Sequence, residues 1–321
     1  MTQPQFIQLL HTDPQALMSE ASLGLSQPQA HLSPKFLYDS LGSRLFDAIT
    51  ELDEYYPTRT EAGILAAQRE TIAQAVHGRL GPHPTLIDLG AGNCGKAAGL
   101  FGSLKPAHYV ALDFSVEFLF GAMRLLQLQH PQVRMTGVGL DFSSSLVLPD
   151  GLIGAPALLF YPGSSIGNFS PEQALRLLRQ VCAAAAGGSL LIGVDLHKSA
   201  AVLEAAYDDA LGVTAAFNLN MLRHLNRLIG SNFDLRQWRH VALFNAEHSR
   251  IEMHLEAREA LSVQWPGHQR RFRAGERIHT ENSYKWQRGD FESLLRDAGF
   301  SRLTSMTDSG QNFLVCLAHS T

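Results

Sequence analysis

The run from Leu86 to Lys96, Leu-Ile-Asp-Leu-Gly-Ala-Gly-Asn-Cys-Gly-Lys, has the clearest capacity for ligand chemistry in the sequence. Three glycines, Gly90, Gly92 and Gly95, follow a short aliphatic stretch and precede an Ala/Leu-rich segment suited to a helix. A strand, tight turn and helix start of this kind leaves backbone N–H groups unpaired, and glycine lets a ligand lie against the main chain. Three nucleotide-like groups compete for the turn. Gly90-x-x-x-x-Gly95-Lys96 approaches a phosphate-binding loop, but Ala97 stands where a Ser or Thr hydroxyl would hold Mg²⁺. Gly90-x-Gly92-x-x-Gly95, with Asp113 for ribose hydroxyls, fits a dinucleotide such as NAD. S-adenosylmethionine uses the same geometry without a pyrophosphate, and the acid that opens the motif, Asp88, is more usual for it.

Two other stretches carry polar groups in usable patterns. Tyr161-Pro-Gly-Ser-Ser-Ile-Gly-Asn168-Phe is rich in small residues, including Gly163 and Gly167, so the backbone can approach a ligand. Asn168 both donates and accepts hydrogen bonds; a Gly/Ser turn capped by Asn is the plainer reading. Glu281 and Ser283 stand two apart and face the same side of an extended chain. A carboxylate beside a hydroxyl suits a ring with N–H groups such as imidazole, and equally a solvated face. Met253, with Ile251 and Leu255, forms an apolar stripe whose default role is core packing. Tyr55 and Tyr56 lie in a loop where packing and ligand contact are both open.

Stepping outward, the elements that must position these groups alternate from Thr85 onward. Strands are expected at Thr85–Leu89, His108–Asp113, Arg134–Leu140, Ala157–Tyr161 and Ser189–Asp195, with helices at Val116–His130 and from the Ser170 cap to about Ala186. Gly90, Asp113, Asp141, Asn168 and Asp195 fall at or just beyond strand carboxyl ends, where doubly wound sheets bind ligands. Later come a helix from Leu203 to Leu228 broken near Gly212, strands Arg239–Phe244, Arg250–Glu259 and 274–281, a helix Phe291–Ala298, and a hairpin Arg302–Asp308 with Asn312–His319. That hairpin favours a methyltransferase sheet, with its inserted antiparallel strand, over a dinucleotide sheet. Upstream, residues 1–30 suggest short helical pieces, Ser33-Pro34 starts a helix over Lys35–Leu52, and a Thr58/Glu61 capping box starts another over Arg59–His77. The fold expected is α/β: a doubly wound, Rossmann-like sheet over 62–195 plus 287–321. A second, smaller α+β substrate-binding domain is expected from 1–61 plus 196–286.

Composition narrows the classes. The chain has 321 residues, 45% hydrophobic and 17% charged, with a net charge of −4, so it is globular with ample core and nothing asks for nucleic acid or an anionic membrane. The basic group Arg270, Arg271, Arg273 and Arg277 reads as a solvated loop and strand face. No apolar run has membrane-spanning length and no leader is seen, so cytoplasmic residence is expected; the expected state is a monomer. Three cysteines and 14 scattered histidines form no disulfide framework and no metal site. Cys94 serves the glycine turn as a small residue.

Longer motifs then resemble one family. Leu37-Tyr38-Asp39 with Gly42-Ser43, Tyr55-Tyr-Pro-Thr-Arg-Thr-Glu61, Ser165-Ile-Gly-Asn168, Ala206-Tyr207-Asp-Asp209 with Thr214-Ala-Ala-Phe-Asn218, and Ile251-Glu-Met253 look like the histidine-specific methyltransferases of ergothioneine biosynthesis. The resemblance runs from about residue 32 to the C-terminus. It implies three successive methyl transfers from S-adenosylmethionine to the α-amino nitrogen of L-histidine, giving hercynine. By position, Tyr38, Gly90, Lys96, Asp113, Asp141 and Phe142 would hold the cofactor. Tyr56, Gly163, Asn168, Tyr207, Met253, Glu281 and Ser283 would form the histidine site, with Asn168 and Tyr38 nearest the chemistry. Asn93-Cys94-Gly95 departs from the Thr-Ser-Glu common in relatives. Methylation of another amino acid, such as a tryptophan derivative, is the alternative within the family; an NAD-dependent oxidoreductase and a non-catalytic amino-acid-binding protein lie outside it.

Overall fold

Aliphatic runs bounded by Gly, Pro and Asp fold as strands, and Ala/Leu-rich segments as helices, in a computed structural model that describes residues 3–9, 13–143, 145–149, 151–152, 156–185 and 187–320. The chain opens with β1 (Gln5–Gln8), α1 (Pro14–Ser26), α2 (Ser40–Thr50) and α3 (Tyr56–Leu80). There follow β2 (Thr85–Leu89), α4 (Gly95–Ala98), α5 (Phe101–Leu104), β3 (His108–Asp113), α6 (Val116–Gln129), β4 (Arg134–Gly139), β5 (Leu158–Tyr161), α7 (Pro171–Ala185) and β6 (Ser189–Asp195). Next are α8 (Ala200–Ala205), α9 (Val213–Leu228), β7 (Trp238–Asn245), β8 (Arg250–Ala257), β9 (Leu261–Trp265), β10 (His268–Phe272) and β11 (Arg277–Tyr284). The chain closes with α10 (Arg288–Asp297), β12 (Phe300–Thr307) and β13 (Phe313–Ser320).

Two compact units result. The first comprises Met1–Leu10, Pro57–His197 and Lys285–Thr321. Its eight strands run β1-β4-β3-β2-β5-β6-β13-β12. The first six are parallel, and β13 enters antiparallel between β6 and β12. Helix-covered parallel strands are buried on both faces, which explains why β3, β5 and β6 read as continuous apolar runs. Tyr109, Phe160, Met123 and Phe313 fill the core.

The second unit comprises His11–Tyr56 and Lys198–Tyr284. Its three-stranded antiparallel sheet β11-β8-β7 turns Ile251, Met253 and Leu255 inward onto a core with Phe36, Phe217, Met221 and Trp238, while β9 and β10 form a separate hairpin. Every second residue of β8 faces the other way: Glu252 and Glu256 there pair with Arg250 and with Arg239 and Arg277.

Several local expectations are corrected. The helix expected over Lys35–Leu52 is a short 3₁₀ turn at Pro34–Leu37 and then α2, because the Asp39 carboxylate accepts the Gly42 N–H and restarts the chain as a new helix. The next helix starts at Tyr56, and Glu61 does not cap it but turns to Lys96 and Gly163. Residues 5–8 form an edge strand on β4, so they belong to the sheet unit, as do residues 57–61. The hairpin of β9 and β10 was not expected at all, and it takes in Arg270, whose guanidinium is no free solvated group: it bonds to the Pro28 carbonyl and to Glu276. Gly212 does break the helix after Leu203, with Asp209 accepting the Val213 and Thr214 amides to start α9. Ala186, the expected end of α7, lies outside the described residues.

Candidate active site

The glycine bend follows β2 directly. Gly90 and Gly92 adopt left-handed φ values of +71° and +53°, and nothing stands within 4 Å of where a Cβ on Gly92 would lie. A ligand can therefore rest on bare backbone here. The amides of Gly90 and Ala91 both bond to the Leu112 carbonyl, which fixes the bend against the end of β3. There the Asp113 carboxylate accepts the Gly92 amide on one oxygen (2.9 Å) and the Ser115 amide on the other (2.8 Å). Burial pushes the Asp113 carboxyl up, and those amides oppose the shift. The Phe114 amide bonds to the carboxylate as well, which leaves one lone pair for a hydroxyl donor. Past β4, Asp141 accepts the Ser143 amide, and the Phe142 ring reaches 3.7 Å from the Cβ position of Gly90 while meeting Tyr161 edge-on at 5.7 Å. Bare glycine backbone, a ribose-type acid at Asp113 and a flat apolar ring at Phe142 fit the nucleoside and methionine portions of S-adenosylmethionine.

Asp88 lies beneath the bend, within the sheet. It accepts the Tyr109 hydroxyl at 2.8 Å on one oxygen, while its second oxygen is buried with no partner among the described residues. Burial pushes its carboxyl up to about 7, against the pull of the tyrosine hydroxyl.

After β5 the chain makes a tight sequence of turns. Gly163 has φ +79° and Ser164 φ +58°, and the Ser164 hydroxyl accepts the Asp195 amide at 2.9 Å. A 3₁₀ turn over Ser165–Asn168 then presents Asn168, half-buried, at the carboxyl end of the sheet. At the end of β6, Asp195 and Lys285 form an ion pair at 2.9 Å with both side chains 0% exposed. Backbone bonds from Trp286 to Asp195 and from His197 to Trp286 tie the two strand exits together.

In the second unit the remaining residues converge. Tyr207, in the turn between α8 and α9, donates its hydroxyl to Ser283 Oγ at 2.8 Å, and its ring meets Tyr55 edge-on at 6.0 Å. Its backbone carbonyl is bonded by His240 Nε2 at 2.7 Å. Glu281 pairs with Met253 across β11 and β8, Ser283 pairs with Ile251, and all four are buried. Glu281 and Ser283 thus share one face of β11, as their spacing required. Tyr56 accepts a hydrogen bond on its hydroxyl from Lys198 Nζ at 2.7 Å, and that ammonium lies 4.4 Å from the ring centroid. Tyr38 packs edge-on against Phe46 and Phe217 at 5.7 and 5.3 Å. An open cavity of about 510 Å³ beside Asp39, Arg44, Arg223 and Arg227 contains none of the residues assigned from the sequence to the cofactor or to histidine.

Nothing local in the sequence marks Glu61 as more than a cap, or marks Lys198 or the Ser164–Asp195 bond at all. Only the glycines at 163 and 167 hinted that the loop after β5 is closely packed.

A glycine bend after one central strand, an acid closing the next, and an antiparallel strand inserted beside the last define the scaffold of an S-adenosylmethionine-dependent methyltransferase. The model of the family described as histidine-specific, S-adenosylmethionine-dependent methyltransferases matches residues 17–320, and the chain belongs to that family. It is 36% identical over 312 residues to the histidine N-alpha-methyltransferase of Mycolicibacterium smegmatis, covering 95% of each chain. It is also 36% identical over 311 residues to that of Mycobacterium tuberculosis, covering 94% of each. Ergothioneine biosynthesis protein 1 of Schizosaccharomyces pombe is 31% identical over 260 residues, 78% of this chain and 34% of that one. Among the described residues no helix is long and apolar enough to cross a membrane, and no group of three His, Cys, Asp or Glu side chains is placed to hold a metal.

Proposed function

We propose that the protein transfers three methyl groups in turn from S-adenosylmethionine to the α-amino nitrogen of L-histidine, giving hercynine on the route to ergothioneine. The observation that carries the acceptor is the buried set on β11 and its neighbours. Tyr207 and Ser283 are joined at 2.8 Å, and the Glu281 carboxylate lies two residues from Ser283 on the same face over Met253. Imidazole has two polar edges, and a carboxylate with a hydroxyl pair answers both: the carboxylate accepts the ring N–H and a hydroxyl meets the other nitrogen. An indole or phenyl ring leaves one or both of those groups unmatched, which costs affinity in a buried site.

When bound, S-adenosylmethionine supplies a sulfonium methyl that an amine lone pair can attack in line. Tyr38, Gly90, Lys96, Asp113, Asp141 and Phe142 would hold it, the acid at 113 on the ribose and the ring at 142 against the adenine. Asn168 orients the amino acid by donating to its carboxylate and accepting from its amine, and Tyr38 is assigned to the reacting nitrogen as well as to the cofactor. Tyr56 and Tyr207 hold the histidine, Glu281 and Ser283 anchor its ring, and Gly163 and Gly167 leave room for the growing ammonium. Most of the barrier is met by this positioning and by exclusion of water. The same proposal has the enzyme working as a cytoplasmic monomer on soluble metabolites, and light scattering reads its mass.

Incubation with S-adenosylmethionine and each proteinogenic amino acid, read by mass spectrometry, tests the acceptor: histidine alone is expected to gain three methyl groups. Gain on another amino acid, or on none, overturns the assignment. Titration with S-adenosylhomocysteine against NAD tests the donor, since an oxidoreductase would bind only the second.

A further inference from the structure

We propose that Glu61 is a positioning residue of the methyl-donor site, acting through Lys96 and through the backbone of the loop that carries Asn168. The proposal deepens the functional reading above and rests on its assignment of Lys96 to the donor. Glu61 is the sixth residue of α3 and is 1% exposed. Its carboxylate accepts Lys96 Nζ on Oε2 at 2.7 Å, and it accepts the Gly163 amide on both oxygens, at 2.8 and 3.0 Å. One carboxylate therefore joins the first turn after the glycine bend to the first turn after β5.

The surroundings are shaped to admit it. A Cβ on Gly193 in β6 would lie 1.9 Å from Glu61 Oε1, so the strand passes the carboxylate only because that residue has no side chain. A Cβ on Gly163 would lie 3.0 Å from Lys96 Nζ. The gap at Gly193 is thus needed for this ion pair, and Gly163 lies close against its lysine end. Burying an ion pair contributes little net stability, and apolar residues of the same volume commonly serve a core as well or better. A pair that demands such a gap in a central strand is accounted for by what it positions. The Lys96 side chain remains 31% exposed, unlike the carboxylate that holds it. An ammonium has three N–H donors, so the one given to Glu61 leaves others for an anionic ligand group. A lysine held at its tip has also already lost the rotamer freedom that binding would otherwise remove. At the other end, the bond to the Gly163 amide fixes the left-handed turn from which the chain runs on to Asn168.

The test uses the full-length protein with Glu61→Gln, which keeps the size and an acceptor oxygen but removes the charge. The Kd of S-adenosylhomocysteine by calorimetry and the KM of the donor are expected to rise roughly 10-fold or more, the loss when a charge-assisted contact is undone. The amide oxygen that Gln retains still accepts the Gly163 amide and leaves the Asn168 loop in place, so the KM of histidine at saturating donor should change less than about twofold, a split that general loosening of the fold would not give. Lys96→Met should produce the same loss, and the double variant no further loss. An S-adenosylhomocysteine Kd within about twofold of the wild type, or losses that add in the double variant, overturns the proposal. Should the variants not fold, hydrogen exchange on the wild type decides: the Gly163 amide must be protected before any donor is added, and exchange at the rate of an open loop refutes the role. Wild-type protein that fails to bind S-adenosylhomocysteine at all would instead sink the donor reading, and the two failures are told apart in this way.

Discussion

Glu281 offers the most direct test of the acceptor assignment. The residue is 6% exposed and pairs with Met253 across the sheet, so a hydrogen bond from the histidine ring would form away from bulk water. A hydrogen bond to a charged group contributes about 1.5–3 kcal/mol, which is about 10- to 150-fold in affinity. Glu281→Gln keeps an acceptor oxygen and the side-chain volume, so its loss should fall near the lower end. Glu281→Ala removes both and should approach the upper end. Calorimetric titration of histidine in the presence of saturating S-adenosylhomocysteine reads the change, with thermal unfolding run alongside to show that the fold is kept. Phenylalanine provides the control, because it lacks the ring N–H: the preference for histidine over phenylalanine should shrink by the same factor in Glu281→Ala. If both variants bind histidine within twofold of the wild type while remaining folded, the ring anchor lies elsewhere and the argument from β11 fails.

Other expectations concern the sheet unit. Lys285→Met strips the ammonium from the buried Asp195 carboxylate; breaking such a pair costs about 3–5 kcal/mol, so the Tm should fall by roughly 6–20 °C, with partial recovery in Asp195→Asn/Lys285→Met. A Tm loss under about 3 °C would show that the pair is not held as described. Asp88, with its folded carboxyl pushed up to about 7, keeps its proton in the native state where the unfolded chain, near 3.9, has released it. Wild-type stability should therefore decline relative to Asp88→Asn as the pH rises from about 4 to about 7 and then level off; a constant Tm difference over that window would contradict the burial argument. Alkylation of the folded protein at pH 8, mapped by mass spectrometry, should mark Cys182 and spare Cys94 and Cys316. Burial raises all three thiols, Cys316 to about 11 and Cys94 furthest, and only Cys182 is partly exposed. Labelling of Cys94 would mean that the glycine bend opens.

Much of the sheet could be read in advance because its strands are short apolar runs ended by Gly, Pro or Asp, and both properties are local. The inserted antiparallel strand was legible for the same reason, as an alternating run and a continuous apolar one joined by Asp308-Ser-Gly-Gln. What escaped depends on partners far along the chain. Gln5–Gln8 contributes only two apolar residues and becomes a strand because β4 offers it an edge. Asp39 divides an apparently continuous helix, and its carboxylate is shared by the Gly42 amide and by Asn220, which no local pattern announces. Glu61 has the spacing of a cap, yet Lys96, 35 residues away, claims it. Glu281 and Ser283 could be placed on one face from their spacing, but the Tyr207 hydroxyl that meets Ser283 comes from 76 residues upstream. Tyr38 was attached to the cofactor by resemblance alone; its visible neighbours are Phe46 and Phe217.

The paired exits at Asp195–His197 and Lys285–Trp286 bear on how such enzymes diversify. A segment whose two ends leave a sheet side by side can grow, shrink or be exchanged at a closure cost that rises only with the logarithm of its length, while the strands beneath stay in register. On the acceptor assignment proposed above, new preferences can then evolve within 198–284 without rebuilding the eight-stranded sheet, and a graft bounded at those two points is where such an exchange should be attempted.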